Sequence, residues 1–277
     1  MSSPNKVLAS LLLASCLATT PVFGADIARE LRVNADENAA PDNFLEFGLG
    51  AVAGTGPSLT EDEPEFAGFT FVVAASYNYR GFFVDVAGET SEPLLFGYNA
   101  YNTDNWSFDV VLANTGDGIS DDTDDRFKDI DEREASTMFG GRATGYLGEN
   151  IVQFSLKHDV SGKSKGITAS ALIGRNWQYR NWNFHGLLGL SYANDKFSNY
   201  YLGVSEEESL RTDFEAYEAS AMLNANASIG VTYPISEDWI FRATAVAHTT
   251  NGTKDNPLFK TTRDGVIAVG ASISYVF

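Results

Sequence analysis

The chain closes on the stretch Gly265-Val266-Ile267-Ala268-Val269-Gly270-Ala271-Ser272-Ile273-Ser274-Tyr275-Val276-Phe277, and this stretch decides the fold. Side chains of a β-strand alternate between its two faces. One face here carries the apolar residues Val269, Ala271, Ile273, Tyr275 and Phe277. A strand that ends the chain on an aromatic residue is typical of outer-membrane β-barrels. We therefore expect these five residues to form a C-terminal insertion signal, read by the barrel-insertion machinery and placed against outer-membrane lipid.

The N-terminal residues agree with export to the cell envelope. Lys6 precedes an apolar run over 7–18, and Val22-Phe23-Gly24 offers small residues for cleavage. The run is too short for a membrane-spanning helix. The predicted division is a signal peptide over 1–25, a periplasmic segment over 26–42 and a barrel over 43–277. Cys16 is either an ordinary residue of the signal or the acylated residue of a lipoprotein.

Composition excludes some classes of partner. The 277 residues include 19 Lys and Arg against 37 Asp and Glu, a formal net charge of −18. Nucleic-acid binding needs basic patches, so we expect no nucleic-acid partner. Cys16 is the single cysteine and lies within the predicted signal, so the mature chain can form no disulfide within itself.

The rest of the chain alternates with a period of two, which is the pattern of strands. We predict an all-β fold of about twelve strands: 43–54, 66–79, 82–90, 93–101, 105–114, 131–146, 151–160, 166–178, 182–193, 216–233, 238–249 and 263–277. The tenth alternates most regularly. Tyr217, Ala219 and Ala221 begin its apolar face, which continues through Leu223, Ala225, Ala227, Ile229, Val231 and Tyr233. Apolar-out, polar-in alternation with aromatic residues at the strand ends is typical of lipid-embedded strands.

Connections between the predicted strands alternate in length. Short links such as Arg80-Gly81 and Arg180-Asn181 interleave with long ones at 55–65, 115–130, 161–165, 194–215 and 250–262. Bacterial barrels place short turns in the periplasm and long loops outside. The prediction is a closed antiparallel transmembrane barrel with both termini in the periplasm of a Gram-negative bacterium. A soluble β-sandwich is the competing fold, but it rarely places Tyr and Trp at nearly every strand end.

Catalytic and metal-binding motifs are absent from the sequence. The three histidines His158, His185 and His248 have no HExxH spacing, and no GxSxG nucleophile motif occurs. His158 adjoins Asp159, but neighbouring strand residues point to opposite faces, which argues against a catalytic pair. The acidic loop 115–130 is either a weak cation site or a solvated outer loop. We predict a protein that is not an enzyme and has no cofactor, catalytic residue or metal site.

Two further groups are candidates for function. The predicted lumen face carries charges of both signs: Asp85, Glu89, Asp109, Arg142, Lys157 and Arg242. They form either a selective constriction or, as we prefer, paired charges that fill a narrow bore. In the loop 194–215, Ser205 and Glu208 have the spacing of a helix capping box. The neighbouring residues Tyr200, Tyr201 and Leu202 would then either fold inward as a lid or form a contact surface.

The sequence resembles the MipA/OmpV family of outer-membrane proteins over about 150–277. The resemblance lies in Asn199-Tyr200-Tyr201, Val204-Ser205-Glu206-Glu207, Ala216-Tyr217-Glu218-Ala219, His158-Asp159-Val160-Ser161-Gly162 with Gly166, Gly230-Val231-Thr232-Tyr233 leading into Trp239, and Asp255-Asn256-Pro257-Leu258. It implies an outer-membrane barrel without catalytic residues. In this family the named member is an adaptor between a lytic transglycosylase and a penicillin-binding protein.

Three functions remain as hypotheses. The first is a non-enzymatic scaffold for murein-synthesising and murein-degrading enzymes, docked on the 26–42 segment and the periplasmic turns. The second is a narrow porin that uses the lumen charges. The third is surface recognition, in the manner of an adhesin, through the loops 115–130 and 194–215.

Overall fold

The protein forms a closed antiparallel barrel of twelve strands in a computed structural model that describes residues 43–60, 62–86, 94–115, 118–120 and 123–277. The strands are β1 Phe44–Thr55, β2 Glu65–Tyr79, β3 Phe82–Val86, β4 Leu94–Asn102, β5 Trp106–Asn114, β6 Thr137–Leu147, β7 Asn150–Asp159, β8 Ile167–Tyr179, β9 Trp182–Ala193, β10 Met222–Pro234, β11 Trp239–Thr249 and β12 Gly265–Val276. Each strand pairs with its neighbours in sequence, and β12 pairs with β1 from Glu46↔Val276 to Thr55↔Ile267. The predicted signal peptide, Cys16 and the 26–42 segment lie outside the described residues.

Both the strand number and the closure of the barrel are confirmed, and most strand bounds match within one or two residues. Closure through β1 and β12 removes the unpaired edge that an open sheet would expose. The chain enters β1 and leaves β12 at the end that carries the two- to four-residue turns. That end is the periplasmic one in bacterial barrels.

Two predicted strand starts are wrong. The sixth strand begins at Thr137 rather than 131, and the tenth begins at Met222 rather than 216. Ala219 is buried among loop residues, and Tyr217 forms an isolated bridge with Val204. The apolar alternation of Tyr217, Ala219 and Ala221 therefore continues the pattern of β10 without belonging to its lipid-facing surface.

The outer wall of the barrel is apolar and exposed. Side chains that point outward remain accessible although they are large and hydrophobic: Phe69 is 89% exposed, Phe71 79%, Leu49 64% and Ile229 66%. A water-soluble protein would bury such residues, whereas a lipid-embedded barrel turns them outward. The described residues contain no helix that is both long and apolar enough to cross a membrane.

Aromatic residues gather at the periplasmic end of this wall. The four tryptophans of the chain all lie there, at the starts or near the ends of strands that meet the short turns: Trp106, Trp177, Trp182 and Trp239. Amphipathic aromatic rings favour the membrane–water interface, so this belt marks the periplasmic boundary of the bilayer. The hairpin of β2 and β3 turns there on Arg80 (φ 51°) and Gly81 (φ 84°), a left-handed pair that suits a two-residue turn.

The main apolar core lies at the opposite end, among the long loops. Its buried members come from four loop regions and adjoining strand ends: Leu59, Ile119, Phe127, Ile130, Met138, Phe197, Tyr201, Leu202, Val204, Phe214, Ala219, Met222, Leu258 and Phe259. Two short helices belong to it, α1 Asp195–Leu202 and α2 Glu206–Arg211. We call this cluster and its loops the loop cap, because it covers the outer mouth of the barrel.

Candidate functional site: the lumen and its loop cap

One wall of the lumen is formed by β3 to β7 and contains an ion pair between the adjacent strands β5 and β6. Asp109 of β5 lies opposite Arg142 of β6, whose Nε and Nη2 both lie 2.9 Å from Asp109 Oδ2. Asn99 of β4 donates to the other carboxylate oxygen at 2.9 Å. The guanidinium carbon of Arg142 lies 5.0 Å from the centre of the Phe83 ring. Both charges are therefore buried with partners, which is the arrangement a buried ion pair requires.

Other charges predicted in the lumen lie on the same wall. Asp85 of β3 accepts a hydrogen bond of 2.8 Å from Ser76 Oγ. Lys157 of β7 is buried and pairs in register with Gly140. Glu89 lies outside the described residues. The structure thus brings Asp85, Asp109 and Arg142 together on one side of the bore.

Arg242 lies on the other side and reaches across β12. Its Nη1 donates to Glu46 Oε1 of β1, and Glu46 is only 2% exposed. Glu46 was not among the predicted lumen charges. Its position could have been found, because the alternation of 43–54 places it opposite the apolar face that carries Leu45, Phe47 and Leu49.

The carboxylate of Glu208 connects two parts of the loop cap. Ser205 and Glu208 form a capping box at the start of α2, in which each side chain bonds to the backbone N–H of the other residue. Glu208 also accepts from the backbone N–H of Asp131 at 3.1 Å and from Arg133 Nη2 at 2.7 Å. Burial alone would raise the pKa of Glu208, but the Ser205 N–H, the Arg133 charge and the Asp131 N–H together hold the pKa below its usual range. Glu208 is therefore an ionised link between α2 and the loop before β6.

Tyr200, Tyr201 and Leu202 close the first cap helix, α1. Leu202 is 2% exposed and Tyr201 5%, so both side chains point into the cap. The Tyr201 hydroxyl lies 2.7 Å from Thr115 Oγ1 and accepts from the Ser136 backbone N–H at 2.9 Å. Tyr200 is half-buried at the edge and donates to the Glu134 carbonyl at 3.2 Å. Tyr201 and Leu202 therefore point inward, whereas Tyr200 lies at the edge of the loop cap.

Two acidic residues in and just after the acidic loop make contacts within the protein. Asp124 caps the short 3₁₀ helix Asp125–Phe127, and Asp131 forms an ion pair with Arg211 of α2. No group of three or more His, Cys, Asp or Glu residues in the described ranges is arranged to hold a metal ion. The carboxylates at 117, 121 and 122 fall outside those ranges.

His158 and Asp159 point to opposite faces. His158 lies on the outer wall with its ring 6.1 Å from that of Phe139. Asp159 instead accepts from Ser161 Oγ at 2.6 Å and from the Lys165 backbone N–H at 2.7 Å. This geometry does not bring the imidazole to the carboxylate.

The predicted insertion signal occupies the outer face of β12. Val269, Ala271 and Ile273 pair with the outward-facing Ala53, Ala51 and Leu49 of β1. The Phe277 ring lies 6.2 Å from that of Phe47 and 4.6 Å from that of Tyr275, and the Phe277 N–H donates to the Leu45 carbonyl at 2.8 Å. The last residue thus closes the seam between the first and last strands.

Known proteins of the outer membrane are similar to this chain in sequence. OmpV of Vibrio cholerae is 26% identical over 201 residues, which cover 66% of this chain and 77% of OmpV. Omp26La of Vibrio anguillarum is 25% identical over 59% of this chain, and the match spans 63% of Omp26La. The MltA-interacting protein of Escherichia coli K12 is 24% identical over 65% of this chain and 73% of its own length. These relatives and the barrel identify an outer-membrane protein.

Solved outer-membrane barrels also align with this chain, at very low identity. The NanC porin aligns with a TM-score of 0.45 and 7% identity over 83% of this chain and 98% of its own. The sequence match is more informative: the family model described as MltA-interacting protein MipA covers residues 49–277. The chain therefore belongs to the MipA family of outer-membrane proteins.

Proposed function

We propose that this protein is a non-enzymatic scaffold of the outer membrane whose periplasmic face docks enzymes that synthesise and degrade murein. The observation that carries the proposal is the combination of buried ion pairs in the lumen with an apolar core among the outer loops. Ion pairs occupy both sides of the lumen, and the loop cap covers its outer mouth. A barrel closed in this way acts through its rims, and murein lies on the periplasmic side.

Family membership supports a partner of the murein-degrading class. The relative from Escherichia coli K12 is an MltA-interacting protein, and the family carries the same description. We infer a lytic transglycosylase as the first partner and a penicillin-binding protein as the second. The 26–42 segment and the periplasmic turns would form the docking surface.

The periplasmic rim offers polar and aromatic groups for such contacts. Arg80 lies 5.2 Å from the ring of Tyr79, and Arg180 lies 5.5 Å from the ring of Tyr179. Arginine and aromatic residues are enriched at protein interfaces, where they form energetic hot spots. These two turns therefore provide paired anchors at the surface that a periplasmic enzyme meets.

A crosslinking experiment in intact cells tests the proposal. A photo-crosslinking residue replaces Arg180 on a periplasmic turn, and in a matched control it replaces Leu210, which is 90% exposed in the loop cap. Mass spectrometry identifies the captured proteins. The scaffold predicts a lytic transglycosylase or a penicillin-binding protein at position 180 and neither at 210. Capture of outer-membrane bystanders alone, from position 180 and from further turn positions such as Asp104, would refute it.

The channel hypothesis uses the same lumen residues and makes a different prediction. A narrow porin needs a continuous aqueous path past Asp109, Arg142 and Arg242. Paired charges within the bore and an apolar core across its mouth both disfavour such a path. The scaffold is therefore the function that the geometry supports best.

A further inference from the structure

A groove of about 560 Å³ crosses the lipid-facing wall of the barrel, and its lining extends from Asn150 and Arg175 at one end to Ile267 at the other. The lining includes small residues that alternate in phase with exposed side chains of their own strands and therefore point outward. These small residues form the floor of the groove: Gly186, Ala227, Ala245 and Ala247. The cavity is therefore open to lipid and lies outside the bore.

The strand register explains why a groove forms here. Leu188 of β9 pairs with Ala227 of β10. Gly186, two residues before Leu188, pairs with Ile229. The line from Gly186 to Ala227 therefore passes between two large exposed side chains, and Ala227 pairs in turn with Ala247 of β11. Small residues along this diagonal leave a channel between large ones.

The groove rises from the periplasmic rim towards the outer rim. Asn150 is the first residue of β7 and follows a short periplasmic turn, whereas Ile267 lies near the outer end of β12. Neighbouring strands lie about 4.8 Å apart, so the five steps from β7 to β12 cover roughly 24 Å. One leaflet contributes half of a hydrocarbon core that is about 30 Å thick. The groove is therefore long enough for the acyl chain of a lipid.

A charged side chain lies at the periplasmic end of the groove. Arg175 shares the outward face of β8 with the exposed residues Ile173 and Trp177. It pairs in register with Gly186, where the floor of the groove begins. Charged side chains are unfavourable on the lipid face of a barrel, and least so near the interfaces. An outward arginine beside an apolar groove therefore needs a polar group to bind.

The donors of Arg175 are only partly used within the protein. Its Nη2 donates to Glu149, which is exposed in the turn before β7. Nε and Nη1 have no hydrogen-bond partner among the residues that the structure describes. The planar guanidinium binds phosphate through two parallel N–H groups. Arg175 can therefore bind a phosphate while it remains paired with Glu149.

The order of these groups matches the order of groups in one class of lipid. From the bilayer towards the periplasm, the protein presents the apolar groove, then Arg175, then Glu149 in the turn. A phospholipid with an amine headgroup presents an acyl chain, a phosphate and an ammonium in the same order. An anionic headgroup would instead place a second negative group beside Glu149, which is unfavourable.

We propose that the groove is a binding site for a zwitterionic phospholipid of the periplasmic leaflet. One acyl chain lies over Gly186 and Ala227, the phosphate binds Arg175, and the headgroup ammonium binds Glu149.

Native mass spectrometry of the protein extracted from membranes tests the proposal. The protein in detergent is titrated with dioleoyl phosphatidylethanolamine, phosphatidylcholine or phosphatidylglycerol, and the dissociation constant of the first bound lipid is measured. Phosphatidylethanolamine should bind at least fivefold more tightly than phosphatidylglycerol. Phosphatidylcholine should bind with intermediate affinity, because its quaternary ammonium donates no hydrogen bond. Equal affinities for the three lipids, or a dimer of the chain that excludes lipid, would overturn the proposal.

Variants of the charged pair test the headgroup contacts. Arg175→Gln removes the phosphate contact and should weaken phosphatidylethanolamine binding at least tenfold. Glu149→Gln should abolish the preference for phosphatidylethanolamine over phosphatidylglycerol. If Arg175→Gln fails to assemble, Arg175→Lys keeps the charge but loses the two-donor contact, and it should also weaken binding. Unchanged affinity in the assembled Arg175 variant would contradict the proposal.

A matched pair of variants on β10 tests the acyl-chain contact. Ala227→Leu fills the groove between Leu188 and Ile229 and should weaken the binding of all three lipids. The control is Ala225→Leu, which places the same side chain one outward position away, beyond the lining of the groove. Equal lipid affinities of these two variants would show that the groove holds no acyl chain and would overturn the proposal.

Discussion

At the residue scale, Glu208 links helix α2 of the loop cap to the loop before β6. It bonds to Ser205, to the Asp131 backbone and to Arg133 while 2% exposed. Glu208→Gln keeps the shape but removes the charge that Arg133 and the N–H groups face. We expect the cap to lose about 1–3 kcal/mol of stability. Limited proteolysis of the loops in the assembled barrel measures this, with Glu206→Gln on the exposed face of α2 as the control. Equal protection in the two variants would contradict the assignment.

The same carboxylate predicts a pH dependence. Its pKa in the closed cap is below the usual value, so its ionised form stabilises the cap at neutral pH. This contribution is complete above the ordinary glutamate pKa of about 4.3 and is lost as the pH falls through the depressed value. The protection factors of the cap amides, which compare each exchange rate with that of an unfolded chain at the same pH, should therefore fall in acid in the native protein. Glu208→Gln should show a smaller fall, and an equal one would disprove the role of Glu208.

The buried ion pair of Asp109 and Arg142 gives a prediction about the stability of the barrel itself. Asp109→Asn removes the carboxylate charge that faces the buried Arg142 guanidinium beside Phe83. Removing one member of a buried ion pair typically costs about 3–5 kcal/mol, whereas replacing both members with apolar residues costs far less. Urea unfolding in liposomes, followed by tryptophan fluorescence, should show this loss for Asp109→Asn and recovery in Asp109→Leu/Arg142→Met. Asp104→Asn on an exposed turn is the control, and a loss of the same size there would contradict the account.

At the element scale, the strands could be predicted because their signal is local. Outward and inward residues alternate within each strand, so β12 and β9 are recognisable without knowledge of their neighbours. The start of β10 could not, because Ala219 alternates like a strand residue but is buried by loops distant in sequence. The same apolar residue types occur in buried loops and on lipid-facing strands. Only the tertiary contacts of a residue distinguish the two cases.

The C-terminal strand carries a prediction about assembly. Phe277→Ser removes the ring that packs on Phe47 and Tyr275 at the closing seam. We expect the assembled fraction, measured by the gel-mobility shift on boiling, to fall several-fold. Ile267→Ser changes an outward residue at the other end of the same strand and provides the control. Equal assembly of the two variants would show that the last residue has no special part in insertion.

At the scale of the whole molecule, the structure combines a predictable barrel with an interior that the sequence specifies only through distant pairs. Arg126 in the acidic loop donates to the Leu59 and Leu258 carbonyls, and Arg242 pairs with Glu46 from the other end of the chain. No short sequence motif encodes such pairs. Strand alternation therefore predicted that charged residues face the lumen, but it did not predict which residues they pair with. Burying one large apolar side chain contributes about 1.5–3 kcal/mol, which explains how loops with only short helices form a stable cap.

The closed bore is the claim on which the scaffold depends, and single-channel recording in planar bilayers tests it most directly. We expect the native barrel, once its insertion is verified by its mobility shift, to show no conductance steps over a wide voltage range. Steady steps from the native protein, with an ion preference that changes when Asp109 and Arg242 are neutralised, would contradict it and establish a channel instead.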